Sequence, residues 1–453
     1  MSRRIASSIA GFAAGLEIRA IPEAALAAAR RSILDGLAVA VAGSGSDTAG
    51  RSRAALLDPD GEGVATVLGT GTRAAPSTAA LLNGIAAHAL DFDDVWADDD
   101  GVVAWRGHPT VCVLPAVLAA AERANAGGAA VLRGYVIGTE VAGKLGTAFG
   151  PELGRAGWHP TIVLGTVAAA AAAAAVLNLD EARIQIALAI AATEAGGLHR
   201  NFGTDTKPFH AGHAARCGLE AALLAEAGFT ANPAALEDYL RVFGGREEPA
   251  GAALASLGRT YDLVAPGLSV KKYPCCRFAH LPLDALLTVA AGTGSPDLEV
   301  RSITVRIEPG ADDALVCPEA RTGLEGKFSM PYLLAAAATD GRVTLASFTD
   351  AAVARPEVRA LMARVVIEYA DRPGAEVELE TGSGVRSHAA QIVKGDPANP
   401  LTEAEELEKC RSCLEPVLGP GRAEALAAAV REIRGMASIA ELTELLSGAT
   451  IHA

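Results

Sequence analysis

Apolar residues recur at helical spacing through the first 265 residues, and this part of the chain predicts helices. From 22 to 42 one face is apolar, with a proline in the first turn and a glycine just after the end. Almost nothing here alternates with a period of two, apart from a short strand at 64–68, so we expect an all-α region. The same reasoning predicts helices over residues 77–90, 109–124, 128–148, 160–177, 181–195, 208–227 and 234–242.

The pattern changes after residue 261, where apolar and polar residues begin to alternate. Strands are predicted at 298–307, 364–369 and 375–380, with helical segments at 281–291, 331–339 and 347–352 between them. Residues 395–400 have the composition of a linker, and the tail returns to helices. The pattern therefore predicts a mainly α protein, with a helical domain over 1–265, a smaller α/β domain over 266–400 and a helical tail over 401–453.

Composition and charge narrow the class of protein. A chain of 453 residues exceeds one ordinary core, and 50% apolar with 20% charged residues is a globular composition. The net charge of −14 and the lack of a basic run argue against a nucleic-acid partner. The start of the chain lacks a signal-peptide core, and the apolar run at 162–177 is shorter than the roughly 20 residues of a membrane span. We expect a cytoplasmic protein without a membrane partner.

The seven cysteines do not suggest a metal or redox motif. Cys410 and Cys413 are spaced as a C-x-x-C pair but have no second pair, and the adjacent Cys275 and Cys276 lack the further thiolates of an iron–sulfur cluster. We expect them to be mostly small buried residues.

An acidic segment follows the helix predicted at 77–90. It begins with His88 and contains Asp91, Asp93, Asp94, Asp98, Asp99 and Asp100 before His108. Such a cluster can bind a divalent metal, hold a general base whose pKa is raised by like charges, or form a solvated loop. We favour the loop for residues 98–100 and a chemical role for Asp91 and Asp93.

Histidine or lysine stands directly before proline at three predicted helix starts: His108-Pro109, His159-Pro160 and Lys207-Pro208. The positive end of a helix dipole attracts anions and disfavours imidazolium, so these histidines can stay neutral and exchange protons. The pattern predicts one anion-binding cavity.

Two further runs are dense in polar groups. His210 follows Lys207 at helical spacing, where it is either a core histidine or part of the site. At the predicted domain junction, Lys271, Lys272, Arg277 and His280 carry charges that could close over a substrate.

Together these segments resemble the MmgE/PrpD family over nearly the whole chain. The matching segments are His88-Ala-Leu-Asp91-Phe-Asp93-Asp94, His108-Pro109, Gly157-Trp158-His159, the run from Gly203 to Gly212, the run from Lys271 to His280, and the run from Gly395 to Leu401. The resemblance implies a helical domain built from both chain ends, so that 401–453 completes 1–265, a smaller α/β lid and a homodimer. It also implies a reaction at a carbanion-like centre beside a carboxylate, without metal or organic cofactor: dehydration of 2-methylcitrate, decarboxylation of cis-aconitate or epimerisation of iminodisuccinate.

The resemblance also assigns residues to the site. It implies a pocket formed by Asp91, His108, His159, Lys207 and Lys271, with Tyr332 reaching in from the lid. Val95 stands where a threonine usually follows the Asp-Phe-Asp-Asp motif. The stretch 96–107 is longer than in the decarboxylases and brings in Trp105 and Arg106.

These observations give a working hypothesis for a lyase acting on a di- or tricarboxylate. His159 or His108 moves the proton, Asp91 supports its partner, Lys207 holds a carboxylate and Tyr332 acts as an acid. The expected substrate-binding residues are Lys271, Lys272, His210, Arg277, His280 and Arg106. Dehydration is the first choice, epimerisation is close behind and decarboxylation is third. A metal-dependent hydrolase using Asp91, Asp93, Asp94 and His108, and a non-catalytic acid-binding protein, are the alternatives.

Overall fold

The computed structural model describes residues 5–58, 63–96, 106–292 and 299–448. It confirms a mainly α fold with a smaller α/β part. No helix in these ranges combines the length and apolar character that a membrane span needs. The helices of the first part are α1 (Ile5–Gly15), α2 (Glu23–Ser44), α3 (Asp47–Leu56), α4 (Pro76–Ala89), α5 (Thr110–Ala124), α6 (Gly128–Phe149), α7 (Glu152–Arg155), α8 (Pro160–Val176), α9 (Glu181–Glu194), α10 (Thr206–Glu226), α11 (Ala235–Val242) and α12 (Glu247–Leu254).

Two short antiparallel pairs accompany these helices. The first joins β1 (Ala65–Val67) to β2 (Thr72–Ala74). The second joins β3 (Val95–Trp96) to β4 (Leu268–Ser269) and so brings the segment after residue 269 beside the acidic segment after α4.

The later part contains a four-stranded sheet. Its helices are α13 (His280–Ala291), α14 (Gly323–Gly326), α15 (Met330–Asp340), α16 (Asp350–Val353) and α17 (Pro356–Met362), and its strands are β5 (Val300–Ile307), β6 (Val365–Tyr369), β7 (Ala375–Thr381) and β8 (Gly384–Ala390). The strand order is β6-β5-β7-β8, in which only the β5–β6 pair is parallel. The sequence pattern missed β8 because this strand is exposed along almost its whole length and has no apolar face; backbone pairing to β7 holds it in the sheet.

The tail consists of α18 (Glu403–Leu418), α19 (Arg422–Arg431) and α20 (Ala440–Thr443). Its buried residues share one apolar core with the first part, whereas a second core lies between residues 273 and 379. The shared core supports the proposal that both chain ends build one helical unit. We propose the boundaries at 265 and 400 as those of the two structural units.

A close crossing of α4 and α10 positions the groups described next. At Gly84 an added Cβ would lie 2.6 Å from the Cα of Gly212, so the two helices touch through backbone at this point. Four residues further along α4 is His88, and five residues back along α10 is Lys207. The two side chains therefore meet.

Candidate active site

A cavity of about 300 Å³ lies where three helices begin. Its wall includes His108, two residues before α5; His159, which caps the N-terminus of α8; and Lys207, in the first turn of α10. Gly107, with φ of +69°, lets the segment before α5 lie directly against the backbone of Thr161 at the start of α8. The predicted convergence of three helix entrances is present, although α10 begins before Lys207 and not after it.

Asp91 lies in the cavity wall between two lysines. Its Oδ1 atom is 2.7 Å from Lys207 Nζ and 3.1 Å from Lys271 Nζ. Burial alone would raise the pKa of Asp91, but the two ammonium groups outweigh it and hold the pKa well below its usual value. The backbone of Asp91 is left-handed, with φ of +51°, a conformation that aspartate tolerates better than most residues.

Three buried lysines bind three consecutive backbone carbonyls around Asp91. Lys327 donates to Leu90 O at 2.7 Å, Lys271 to Asp91 O at 2.8 Å and Lys409 to Phe92 O at 2.8 Å. These lysines come from the smaller unit, from the junction and from the helical tail. We call residues 90–92 with these three lysines the lysine clamp. It fixes the backbone from which Asp91 and Asp93 project.

Asp93 lies between two histidines. One oxygen is 3.0 Å from His88 Nδ1 and the other is 2.6 Å from His108 Nδ1. The Nδ1 atom of His108 also lies 2.9 Å from the carbonyl oxygen of Asp94. Since both neighbours are acceptors, His108 Nδ1 carries the proton. Burial lowers the pKa of His108, so its ring is neutral and its Nε2 atom keeps a free electron pair.

His159 is paired with His210 through their Nδ1 atoms, which are 3.0 Å apart. Burial lowers the pKa of His159 well below its usual value and that of His210 to about 4, so both rings are neutral and one donates to the other. The tautomers of His159 and His210 are therefore coupled. The sequence-based hypothesis made His210 a substrate-binding residue; in the structure it lies behind His159 and is not part of the described cavity wall.

The described wall carries more positive than negative charge. The cationic residues are Arg155, Lys207, Lys271 and Arg277, and the acidic ones are Asp91 and Asp313. The remainder is largely apolar and aromatic: Val95, Trp158, Phe202, Phe278 and Phe328. A largely apolar cavity with surplus cations at three helix N-termini is suited to a small anion with more than one charge.

His88, Asp93 and His108 bring possible metal-ligating atoms within 4.8 Å of one another, as the metal-hydrolase hypothesis requires. Lys207 Nζ, however, is 3.0 Å from His88 Nε2, and Asp91 is already bonded to two ammonium groups. A divalent cation would be repelled by both lysines. The charges therefore favour an anion at this position.

Two predicted residues of the smaller unit lie outside the described cavity wall. The ring of Tyr332 packs against Gly326, and its hydroxyl donates to the carbonyl of Ser347, because a buried hydroxyl needs an acceptor. His280 is fully buried, and its Nε2 lies 3.2 Å from the carbonyl oxygen of Cys275. The expectation that both side chains reach the substrate is not met in this structure.

Two predicted cations also point elsewhere. Lys272 is exposed beside Asp284, since its neighbour Lys271 already occupies the inward position. Arg106 lies 3.5 Å from Asp262 and over the ring of Trp96. Neither belongs to the described part of the cavity wall. Asp98, Asp99, Asp100 and Trp105 lie outside the described residues.

Sequence reasoning missed several contributors. His88 was seen in its motif but not assigned to the site, and Arg155 and His199 of the wall were not singled out. Lys327 and Lys409 carried no signal, because a lysine that binds a backbone carbonyl belongs to no recognisable spacing. Only the two glycines at the α4–α10 crossing could have indicated that His88 and Lys207 meet.

Comparisons with known proteins cover nearly the whole chain. The MmgE/PrpD N-terminal domain matches residues 7–246, and the MmgE/PrpD C-terminal domain matches residues 273–434. The chain is 28% identical to a cis-aconitate decarboxylase of Mus musculus over 476 residues, which cover 100% of this chain and 95% of the relative. It is 28% identical to those of Homo sapiens, over 99% and 95% of the two chains, and of Aspergillus terreus, over 98% and 96%.

Proposed function

The chain belongs to the MmgE/PrpD family of enzymes, and on this premise we propose that it is a lyase reacting at the carbon next to a carboxylate of a small di- or tricarboxylic acid. The observation that carries the proposal is the cavity itself. Three helix N-termini and four cationic side chains surround about 300 Å³ of largely apolar space.

The cationic side chains of the cavity bind the carboxylates of the acid. Lys271 and Arg277 hold carboxylates from the side of the smaller unit, and Arg155 holds one from the helical side. Charge-assisted hydrogen bonds of this kind contribute about 1.5–3 kcal/mol each. The apolar wall strengthens them by excluding water.

Proton transfer falls to His108 and Lys207. Since Asp93 and the carbonyl of Asp94 keep the proton of His108 on Nδ1, its Nε2 is an acceptor. Lys207 uses one N–H on His88 and one on Asp91, which leaves a third for the substrate. His159 completes the wall, and its tautomer is coupled to that of His210.

Decarboxylation of cis-aconitate is the reaction to test first, because the relatives named above are cis-aconitate decarboxylases. The bond to the leaving carboxylate breaks, and its electron pair forms a new double bond. The pair of the existing double bond then takes a proton from Lys207 at the carbon beside a remaining carboxylate. The aromatic rings of the wall, Trp158, Phe202, Phe278 and Phe328, favour loss of the charged group as neutral carbon dioxide.

Dehydration, the first choice from sequence, is the second candidate. It needs a base for the carbon-bound proton and an acid for the leaving hydroxyl, and the opposed proton states of His108 and Lys207 provide both. Epimerisation needs the same pair. The homodimer and the cytoplasmic location remain predictions.

The test is proton NMR of cis-aconitate, citrate, 2-methylcitrate and iminodisuccinate, each incubated with the full chain in heavy water plus chelator. We expect deuterium beside a carboxylate, accompanied by loss of carbon dioxide from cis-aconitate or of water from a hydroxy acid. His108→Ala and Lys207→Met should abolish it, whereas His388→Ala on β8 should not.

Two outcomes would contradict the proposal. Normal turnover by both cavity variants would place the reaction elsewhere. Activity that appears only when a divalent ion is added would support the metal-dependent hydrolase.

A further inference from the structure

A separate cluster of donor atoms joins the end of α9 to α10. Glu194 is the last residue of α9, and His213 and Cys217 are one turn apart on α10. One ligand atom from each lies within 4.8 Å of the other two. None of the three belongs to the described wall of the cavity.

The geometry of this cluster fits a tetrahedral metal ion. Bonds of about 2.3 Å to sulfur and 2.1 Å to nitrogen, at a tetrahedral angle, put the two ligand atoms about 3.6 Å apart. Cys217 Sγ and His213 Nε2 are 3.4 Å apart. Glu194 supplies an oxygen ligand, and because this residue is exposed, water can fill the fourth position.

The charges of the cluster also fit a divalent ion. A thiolate and a carboxylate balance two positive charges, and the imidazole adds a neutral ligand. On binding, the S–H bond breaks, the proton passes to solvent and a sulfur–metal bond forms. Arg216 faces Cys217 and repels a cation there, but Glu194 and Glu220 attract it, so the site lacks the surplus of positive charge that disfavours a metal beside Lys207 and Lys271.

We propose that Glu194, His213 and Cys217 form a binding site for a divalent transition ion, with Zn²⁺ as the ion that best matches the donor set. The bound ion ties the end of α9 to α10 across residues 195–205. That connection contributes His199 and Phe202 to the cavity, and Lys207 follows it. The site therefore stabilises one wall of the cavity without contacting the substrate.

The test is a titration of the full chain with Co²⁺, followed by absorption spectroscopy. A thiolate ligand produces a sulfur-to-cobalt charge-transfer band, and tetrahedral geometry produces intense visible bands. We expect both to saturate at about one ion per chain and to disappear when Zn²⁺ displaces the cobalt. Cobalt bound at His88, Asp93 and His108 has no sulfur ligand and gives no such band.

Variants decide between a metal site and a simple S–H···N hydrogen bond between Cys217 and His213. Cys217→Ser should remove the charge-transfer band, and Glu194→Gln, at an exposed position that does not endanger folding, should weaken binding at least about tenfold. Cys317→Ser, which alters a partly exposed cysteine outside the cluster, should change nothing. Absence of the band in the wild-type chain, or its persistence in Cys217→Ser, would overturn the proposal.

Discussion

Lys207 donates a hydrogen bond of 3.0 Å to Nε2 of His88, a buried histidine whose Nδ1 faces Asp93. The ring must therefore carry its proton on Nδ1 and accept with Nε2. Burial lowers the pKa of His88 to about 4, and Lys207 opposes its protonation further, so the ring remains an acceptor through the neutral range. His88 thus links the carboxylate of Asp93 to the ammonium group of Lys207 and fixes the orientation of that ammonium group.

This relationship predicts unequal effects of two substitutions at His88. His88→Leu should lower kcat on the order of 100-fold with a smaller change in KM, because Lys207 loses one of its two anchors. His88→Gln keeps an acceptor for Lys207 and a donor for Asp93, and should recover much of the loss. Steady-state kinetics on the acid that the wild type turns over measures both. Equal losses in the two variants would mean that His88 only fills space.

The lysine clamp predicts that Lys409 affects turnover from outside the cavity. Lys409 binds Phe92 O at 2.8 Å and Asp35 at 2.6 Å, so Lys409→Met leaves a buried carboxylate unpaired and should lower the free energy of unfolding by about 3–5 kcal/mol. The double variant Asp35→Asn/Lys409→Met removes that charge. The free energy of unfolding of the double variant should return towards the wild-type value. Its kcat should stay low, because the carbonyl of Phe92 still lacks its hydrogen bond from Lys409.

Urea unfolding and turnover together check this prediction. Lys394→Met, at a lysine paired with Glu405, is the control for loss of a lysine near the same helix. Full activity in the double variant would show that Lys409 supports stability alone.

Asp94 predicts a pH dependence of stability with a definite sign. Burial and then the charge of Asp35 raise its pKa to about 7, from 3.8 in an unperturbed chain. Between these pH values the carboxyl group of Asp94 keeps a proton in the folded state that it has lost in the unfolded state. The contribution of Asp94 to the free energy of unfolding is therefore complete below pH 3.8 and is lost as the pH rises towards 7. Asp94→Asn cannot titrate. The stability of the variant relative to wild type should rise over this range by up to about 4 kcal/mol and then level off.

Urea unfolding of both proteins at several values from pH 4.5 to 8 measures this difference. Asp371→Asn, at an exposed acid, serves as the control. A difference in the free energy of unfolding between Asp94→Asn and wild type that stays constant with pH would show that the pKa of Asp94 is not raised in the folded state.

The sequence-based hypothesis and the structure assign different roles to Tyr332. Its hydroxyl is bonded to the carbonyl of Ser347 in the core of the smaller unit, so Tyr332→Phe should lose about 1 kcal/mol of stability and keep its turnover. Thermal unfolding and kcat are the measurements. A loss of activity of tenfold or more would support a role for Tyr332 in the reaction, and the smaller unit would then have to move to bring its hydroxyl into the cavity.

Local patterns of apolar residues were sufficient for most of the long elements, either as one apolar face or, in α8, as a continuous apolar run that is buried on all sides. The helices corresponding to α2, α5, α8 and α10, and the strands β5 to β7, were predicted within about two residues, because burial of an apolar face is a local property of the sequence. The strand β8 failed this criterion, since its place in the sheet depends on the backbone of β7.

By itself the sequence determined the fold class, the family and the histidines and lysine at the three helix entrances, since these follow from local patterns of residue type. Only the tertiary structure decided which polar groups meet. Lys409 is separated from Phe92 by 317 positions, and His210 turns to His159 instead of the cavity because α8 and α10 pack side by side. Such contacts depend on how elements far apart in the sequence pack against each other, and the residues of a short segment do not determine that packing.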